Sequence, residues 1–464
     1  MHLSHDEEDH NLSLSRFESM LKTNKVLFFD SEEFEEIVLH YMDMGKMSLA
    51  KKALKLALEQ HPKSTGLKLV QVEMMIFEDK LDAAEKLLNE LYAIEPRNEE
   101  IYIQHANIYS KKDNHEKAVE LLKEALNLTE DYADVYNLIG MEYLFMDNLE
   151  LAKQNFIFCL EEDFEDQTAL YNVVYCFEFL DQHQEAIDFL EKYINKNPYS
   201  EIAWHQSGRL FYNLKDYENA LRCFDFASLI DEDFMGSFME KAKALEKLNR
   251  YEEAIESYNR TIELEDATSY ALLRIGKCYE KLGNKNQAIK FYHKTVHEDP
   301  LLDKGWIAIT DFYVRQKNFQ KALFYVNKAI GIDNENKLYW KRYAMINKEL
   351  AFYEEAEIGY RKAVEFGEFE LNTWTSWADV LTDLGEDDAA VHTLLKATEY
   401  FPDEYLIEYR LAGLYYLLNN IEKCCFHLTK ALQFNTEKRD IFERIFPDAL
   451  TLPEVQKIFS QFKK

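Results

Sequence analysis

A single spacing of 34 residues runs through most of this chain. Alanine recurs at eleven successive points of that spacing, and the next point holds the similarly small Cys424. Five of the seven prolines follow the same spacing, and no insertion interrupts it over the 408 residues from Ser31 to Lys438, which makes twelve repeats. Self-similarity at this period predicts a stack of helical hairpins. The alanines are Ala50, Ala84, Ala118, Ala152, Ala186, Ala220, Ala254, Ala288, Ala322, Ala356 and Ala390.

Each repeat carries two apolar patterns of helical spacing. We number the positions of a repeat from 1, with the first repeat beginning at Ser31. Position 4 is aromatic in eight repeats, position 8 is small or β-branched in all twelve, and position 11 is mostly large and apolar. Positions 20, 24 and 27 form a second such set, so each repeat is predicted to hold two helices of about 14 residues. The small residues at positions 8 and 20 would let the two backbones approach closely.

This pattern resembles the tetratricopeptide repeat family over about 408 of the 464 residues. The clearest repeat is the eighth, with Ile275, Gly276, Tyr279, Gly283, Ala288, Tyr292 and Pro300. The resemblance implies an all-α fold, a right-handed superhelical α-solenoid of antiparallel helix pairs. The sequence departs from the family pattern at Lys68, Gln71, Asn347, Glu408 and Cys424.

Two flanking segments complete the predicted organisation of residues 1–30, 31–438 and 439–464. Residues 1–12 are polar and we expect them to be disordered. Residues 13–30 contain enough apolar side chains to cap the first repeat. Residues 439–464 predict two short helices that are broken near Pro447 and that cover the other apolar end of the stack.

Composition restricts the class of partner and the compartment. There are 54 Lys and Arg residues against 85 Asp and Glu residues, so the net charge is −31, which disfavours nonspecific binding of nucleic acid or anionic lipid. The N-terminal sequence lacks the basic and apolar segments of a secretory signal, and no apolar run approaches the roughly 18 residues of a membrane span. The six cysteines show no CxxC spacing. We expect a cytoplasmic protein with reduced thiols and no binding of nucleic acid or membranes.

Sequence motifs of catalysis are absent. The chain has no GxGxxG, GxxxxGK[ST], GxSxG or HExxH segment. His293 and His297 have a metal-compatible spacing but lack a third ligand nearby in sequence, so surface histidines are the favoured interpretation. The adjacent Cys424 and Cys425 could sense redox state, although buried thiols are favoured. We therefore expect no enzymatic activity, no cofactor and no metal.

The resemblance also implies that positions 2, 5, 6, 9, 12 and 13 of the first helices line a concave groove for partner peptides. In repeats one to five these positions hold eight acids, one base and many apolar residues. The apolar residues could form a docking strip for an amphipathic helix. Alternatively, residues 13–30 or a second copy of the chain could cover them. The candidate apolar site is Leu69, Phe77, Met141, Phe145, Tyr171, Tyr175 and Phe179.

In repeats six to ten the same positions hold eleven bases and five acids. Clustered bases on a concave wall would attract carboxylates or phosphates. Alternatively, these bases solvate the helices and pair with glutamates at i,i+4, but the like-charged pairs Lys243–Lys247 and Lys277–Lys281 count against that interpretation. The candidate basic site is Arg209, Lys243, Lys247, Arg274, Lys277, Lys281, Lys304, Arg315, Lys341, Arg342 and Lys348.

These observations favour a noncatalytic scaffold that binds a protein or peptide segment, one with an acidic stretch, in the groove. A second hypothesis is a regulator that responds to a peptide or small anion. A third is an RNA-binding helical array, against which the strict 34-residue spacing and the net charge argue. The sequence leaves the identity of the partner and the oligomeric state open.

Overall fold

The computed structural model describes residues 5–23, 27–264 and 268–462, and throughout these ranges the regular structure is helical, with no strands. The chain divides into an N-terminal unit, residues 1–230, and a C-terminal unit, residues 231–464. The all-α prediction is therefore confirmed. Each unit consists of consecutive antiparallel helix pairs, which is the α-solenoid arrangement.

The N-terminal unit contains one leading helix and six helix pairs. Its helices are α1 (His5–Thr23), α2 (Ser31–Asp43), α3 (Met47–Gln60), α4 (Thr65–Phe77), α5 (Leu81–Tyr92), α6 (Glu99–Lys111), α7 (His115–Leu126), α8 (Tyr132–Phe145), α9 (Leu149–Glu162), α10 (Gln167–Phe179), α11 (His183–Lys196), α12 (Glu201–Asn213) and α13 (Tyr217–Ile230).

The C-terminal unit contains six further pairs and two short closing helices. Its helices are α14 (Met235–Lys247), α15 (Tyr251–Leu264), α16 (Ser269–Lys281), α17 (Lys285–Glu298), α18 (Asp303–Arg315), α19 (Phe319–Ile332), α20 (Lys337–Glu349), α21 (Tyr353–Glu365), α22 (Leu371–Asp383), α23 (Asp387–Ala397), α24 (Tyr405–Leu417), α25 (Ile421–Phe434), α26 (Asp440–Ile445) and α27 (Pro453–Gln461).

The helix starts follow the 34-residue spacing closely. The first helix of each repeat begins at the first residue of that repeat, except that α8 begins one residue earlier, at Tyr132. Side chains of Asn, Asp, Ser or Thr cap many of these helices; for example, the Thr268 side chain accepts a hydrogen bond from the Ala271 backbone N–H. Such caps satisfy backbone donors that a helix start leaves without partners.

One backbone conformation recurs in the turn between the two helices of every repeat. Position 15 has a positive φ, between 55° and 78°, in all twelve repeats. This left-handed conformation costs little for glycine and is tolerated by Asn and Asp, which together fill nine of the twelve turns. The residues are Gly45, Asp79, Asp113, Asp147, Asp181, Lys215, Asn249, Gly283, Lys317, Ala351, Gly385 and Asn419.

Glycine at position 8 lets the two helices of a repeat pack closely in three repeats. A Cβ atom added to Gly276 would lie 2.5 Å from Cε1 of the Tyr292 ring. Gly140 and Gly208 stand in the same relation to Phe156 and Phe224. The aromatic ring at position 24 thus fills the space that a side chain at position 8 would need.

The N-terminal flank differs in part from the expectation. The helix α1 begins at His5, so residues 5–12 are helical rather than disordered, while residues 1–4 lie outside the described residues. Acidic residues are frequent in the sequence of this stretch, and they favour the start of a helix. Further along α1, the buried ring of Phe17 packs edge-on against Phe34 of α2.

The C-terminal flank packs against the last repeat. The helices α26 and α27 are separated by a 3-10 turn that begins at Pro447. The Phe446 ring packs so closely on Gly413 of α24 that a Cβ atom added there would overlap the ring. Phe442 and Val455 are fully buried beside the α24–α25 pair.

Two further findings concern membrane-spanning helices and thiols. No helix within the described ranges is both long and apolar enough to cross a membrane. All six cysteines are free, and five of them, including Cys424, are buried.

Candidate functional site

Three successive first helices of the C-terminal unit, α14, α16 and α18, surround an open cavity of about 590 Å³. We call it the basic cavity. Five of the predicted basic residues lie on its wall: Lys247, Arg274, Lys277, Lys281 and Arg315. The remaining lining residues are Glu246, Tyr251, Glu280, Tyr292, Ala308 and Asp311.

Glu246 in the wall of the basic cavity is held by two partners. It accepts hydrogen bonds from Nε and Nη2 of Arg274 at 2.8 and 2.6 Å, which is the bidentate geometry that suits this pair. The hydroxyl of Tyr258, which is fully buried, donates a third hydrogen bond to Glu246 at 2.6 Å. Arg274 thus links α16 to the preceding repeat.

The other two acids in this wall are engaged as well. Glu280 accepts a hydrogen bond of 2.8 Å from the Tyr292 hydroxyl and forms an ion pair with Arg315 of the next repeat. Asp311 accepts hydrogen bonds from Arg342 at 2.8 and 3.2 Å. Every carboxylate that lines the basic cavity therefore already has a cationic partner.

Three lysines of the cavity have no such partner within the described ranges. Lys247, Lys277 and Lys281 are solvent-exposed, and no carboxylate of the described residues lies within ion-pair distance of their ammonium groups. Although solvent reaches Lys277, its position in the concave wall reduces its hydration, and this desolvation together with the charge of Arg274 lowers the pKa of Lys277. The positive charge at this point of the wall is thus not neutralised within the described part of the protein.

The remaining predicted basic residues do not belong to this cavity. Arg209 lies in the N-terminal unit and is 3.7 Å from Glu178, and Lys243 pairs with Glu240 of its own helix at 2.7 Å. Lys304 is exposed on α18 but does not line the cavity.

Three further predicted bases line a second, larger cavity. Together with Arg315, the residues Lys341, Arg342 and Lys348 border an open space of about 930 Å³ near α20 and α22. The Lys341 side chain is only 15% exposed and binds Glu368 and Glu370 at 2.8 and 2.6 Å. Lys348 is 3.7 Å from Asp379. Their charges are largely neutralised, which makes this cavity the weaker candidate for an anion.

The alternative interpretation, in which the bases pair with glutamates at i,i+4, does not hold for the arginines at position 6 of three repeats. Arg274, Arg342 and Arg410 all occupy position 6, and each binds an acid at position 9 or 12 of the preceding repeat. Adjacent first helices lie side by side in a solenoid, so the nearest acid comes from the neighbouring repeat rather than from the next helical turn.

Of the seven residues of the predicted apolar site, five are exposed and two are largely or partly buried. Phe77, Phe145 and Phe179 are 60%, 59% and 66% exposed, and Tyr171 and Tyr175 are also exposed. The described part of residues 13–30 therefore does not cover them.

Leu69 was predicted to line this surface but does not, because it is only 7% exposed. It packs in the core of repeats two and three with Val72, Ile76 and Ile101. Met141 is half-buried and packs against the neighbouring core, where it lies 3.7 Å from the Asn172 amide. Neither residue presents a free apolar surface as the five aromatic residues do.

Sequence reasoning missed the tyrosine–glutamate pairs at Tyr258 and Tyr292. A signal exists, since repeats seven and eight combine glutamate at position 12 with tyrosine at position 24. No group of three or more metal-ligating side chains is found in the part of the chain that the structure describes.

Consecutive antiparallel helix pairs with a recurrent turn define the chain as an α-solenoid. Family models described as tetratricopeptide repeat match residues 78–141, 133–166, 168–200, 236–268 and 270–301. The chain therefore contains tetratricopeptide repeats. The models match separate stretches, and the count of twelve remains a prediction from the 34-residue spacing and the helix pairs.

Similarity to individual proteins is distant. The chain is 24% identical over 159 residues to anaphase-promoting complex subunit 3 of Schizosaccharomyces pombe, a match that covers 34% of this chain and only 24% of that relative. The crystal structure of the APC/C hetero-tetramer Cut9-Hcn1 is 13% identical, with a TM-score of 0.38, and covers 88% of this chain and 94% of that one. The C-terminal part of a TPR repeat-containing protein from Cytophaga hutchinsonii is 15% identical, with a TM-score of 0.40. The match covers 59% of this chain and 98% of that one. Tetratricopeptide-repeat proteins are in general noncatalytic protein-interaction scaffolds.

Proposed function

We propose that this protein is a noncatalytic scaffold whose basic cavity binds an acidic segment of a partner protein. The observation that carries the proposal is the set of three lysines without carboxylate partners, Lys247, Lys277 and Lys281, in a wall whose acids are all engaged. Carboxylates of the partner would supply the missing countercharges.

Electrostatics within α16 favour this arrangement. Lys277 and Lys281 lie one helical turn apart, so their ammonium groups share a face and repel each other by a few tenths of a kcal/mol. A carboxylate placed between them replaces that repulsion by two charge-assisted hydrogen bonds. The engaged acids cannot take this role without giving up their present partners.

The size and shape of the cavity suit a segment rather than a large surface. Its volume of about 590 Å³ would hold one or two side chains of an extended peptide. Small-molecule sites occupy roughly 300–1,000 Å³, so a free anion such as phosphate would also fit. The experiment must therefore separate an acidic peptide from a small anion.

The test is fluorescence anisotropy with a labelled peptide rich in Asp and Glu, with inorganic phosphate as a competitor. We expect Lys277→Glu/Lys281→Glu to lower the affinity for the peptide at least about tenfold, since it removes two attractive charges and adds two repulsive ones. The matched control is Lys285→Glu/Lys290→Glu, which changes the net charge equally on the exposed part of α17. Thermal unfolding should be nearly unchanged for both variants.

Equal affinities of the wild type and the Lys277→Glu/Lys281→Glu variant would refute the proposal. Full displacement of the peptide by phosphate at a concentration that leaves the ionic strength unchanged would instead favour a regulator that responds to a small anion. Capture of partners from a lysate with wild type and variant would then identify the protein that carries the acidic segment.

A further inference from the structure

The first helices of the N-terminal unit carry an acidic and aromatic surface, whose charge is opposite to that of the basic cavity. Five exposed aromatic residues, Phe77, Phe145, Tyr171, Tyr175 and Phe179, lie on α4, α8 and α10. We call these residues, together with the acids Asp43, Glu73, Glu100 and Asp134, the aromatic–acidic face.

The aromatic rings are exposed to an unusual degree for a folded chain. The three phenylalanines keep well over half of their surface in solvent, and Tyr175 and Phe179 present adjacent rings whose centroids are 4.4 Å apart. The ring of His115 stacks on that of Phe145, and the two ring centroids are 5.3 Å apart. Exposed aromatic side chains that a rigid helix holds in place are typical of binding surfaces.

The acids of this face are crowded and lack cationic partners among the residues that the structure describes. Glu73 is half-buried on α4, one helical turn before Phe77, so both side chains point to the same side of the helix. Burial and the charges of Glu100 and Asp43 raise the pKa of Glu73. No lysine or arginine of the described residues lies within ion-pair distance of Glu73.

A second group of acids lies at the start of α8. Burial and the charges of Asp131, Asp166 and Asp163 raise the pKa of Asp134. Both groups of acids are therefore held in a negative potential that the described residues do not neutralise.

The combination of exposed aromatic rings and acids favours a partner that is both cationic and apolar. A carboxylate attracts a guanidinium or ammonium group, and the faces of phenylalanine and tyrosine rings attract the same groups through their quadrupoles. An uncharged apolar segment would leave the acids unpaired, and a second copy of this chain would bring an excess of acids, since its net charge is −31. Charge complementarity therefore points to a cationic segment with apolar residues.

We infer that the aromatic–acidic face is a second binding site, which takes a basic peptide segment whose arginines or lysines alternate with apolar residues. The apolar side chains of the segment pack between the exposed rings, and its cations pair with Glu73 and its acidic neighbours. This site is separate from the basic cavity and does not depend on the function proposed for it.

The test uses the full chain and a labelled synthetic peptide in which Arg and Leu alternate, measured by fluorescence anisotropy. We expect Phe77→Ala/Phe179→Ala to weaken binding about tenfold or more, because aromatic side chains are frequent among the few interface residues whose truncation costs that much. Glu73→Gln, which keeps the shape and removes the charge, should weaken it several-fold.

Two controls match these changes. Phe158→Ala removes an exposed ring from the second helix α9, and Glu185→Gln removes an exposed charge from the second helix α11. Both should leave the affinity within about twofold, as should Lys277→Glu/Lys281→Glu in the basic cavity. A peptide with glutamate in place of arginine should not bind to the aromatic–acidic face.

Three outcomes would overturn the inference. Equal affinities for all variants would mean that the net charge alone attracts the peptide. Equal binding of the glutamate peptide to the Lys277→Glu/Lys281→Glu variant, whose basic cavity no longer attracts acids, would remove the role of the acids of this face. A concentration-dependent dimer in sedimentation velocity that Phe77→Ala/Phe179→Ala abolishes would mean that a second copy of the chain occupies the face. Loss of acidic-peptide binding at the basic cavity alone would leave the inference intact.

Discussion

Gly276→Ala should destabilise the protein, although alanine normally favours a helix over glycine. The new Cβ atom would lie 2.5 Å from Cε1 and 2.6 Å from Cδ1 of Tyr292, far inside van der Waals contact. The ring has little freedom to retreat, because it is 1% exposed and its hydroxyl donates a hydrogen bond of 2.8 Å to Glu280.

The expected magnitude follows from three contributions. Replacement of a helical glycine by alanine gains up to about 1 kcal/mol. Overpacking of a dense core costs about 1–3 kcal/mol. Loss of the hydrogen bond between Tyr292 and the charged Glu280 adds a cost of up to about 3 kcal/mol if the ring is displaced. With the full gain of about 1 kcal/mol subtracted, the net decrease in the free energy of unfolding lies between about 0 and 5 kcal/mol, and the fixed position of the Tyr292 ring favours the upper part of that range.

Two other glycines provide comparisons of graded severity. Gly208→Ala would place its Cβ atom 2.5 Å from the Phe224 ring, which has no hydroxyl to lose, so the decrease should be smaller. Gly331→Ala in α19 meets no atom within 4 Å, so helix propensity alone acts and the protein should be stabilised by up to about 1 kcal/mol.

The assay is urea unfolding followed by circular dichroism, with hydrogen exchange to locate the effect in α16 and α17. Local measurement is needed because a solenoid can lose its repeats in separate steps. We expect Gly331→Ala to be the most stable variant and Gly276→Ala the least. A Gly276→Ala variant at least as stable as the wild type would refute the close packing of the two helices.

Two further predictions concern hydrogen-bonded carboxylates. Tyr258→Phe removes one of the three hydrogen bonds to Glu246, so Arg274 alone holds the carboxylate, which can then shift toward a lysine of the basic cavity. Anisotropy should show weaker binding of the acidic peptide, and urea unfolding a loss of about 1.5–3 kcal/mol; unchanged affinity would contradict the positioning role. Burial favours a higher pKa for Glu408, but hydrogen bonds to His427 and Lys430 outweigh it and lower the pKa below the ordinary 4.5. This stabilisation is present above about pH 4.5 and is lost as the pH falls through the lowered pKa, so Glu408→Gln should differ less from the wild type at about pH 3 than at pH 7 in thermal unfolding.

The fold could be predicted from the sequence because the repeat makes each weak local signal recur. Small residues at positions 8 and 20 and a large one at position 24 place both helices of a repeat, and the observed helix starts lie within one residue of the 34-residue spacing. The left-handed turn residues are harder to predict from residue type. Lys215, Lys317 and Ala351 adopt the left-handed conformation without any local preference for it, and only their position in the repeat predicts it.

From the sequence, the site could be predicted only as a set of candidate residues, without knowing which of them lack partners. Which bases lack partners depends on contacts between residues about one repeat apart, such as Arg274 with Glu246, 28 residues away. Local helix spacing does not contain that information. Exposure varies in the same way, since Leu69 and Tyr171 both occupy position 5, yet one is buried and the other exposed.

The recurrent turn at position 15 has a consequence for how such a chain can change in length during evolution. Duplication or deletion of a whole 34-residue block rejoins the sequence in the same structural frame, with every turn and cap still in place. A single residue inserted into a helix instead rotates everything after it by about 100° and turns core side chains toward solvent. The fold therefore tolerates the gain or loss of whole repeats. At each new junction, however, an acid and a base must again form an ion pair such as that between Glu246 and Arg274.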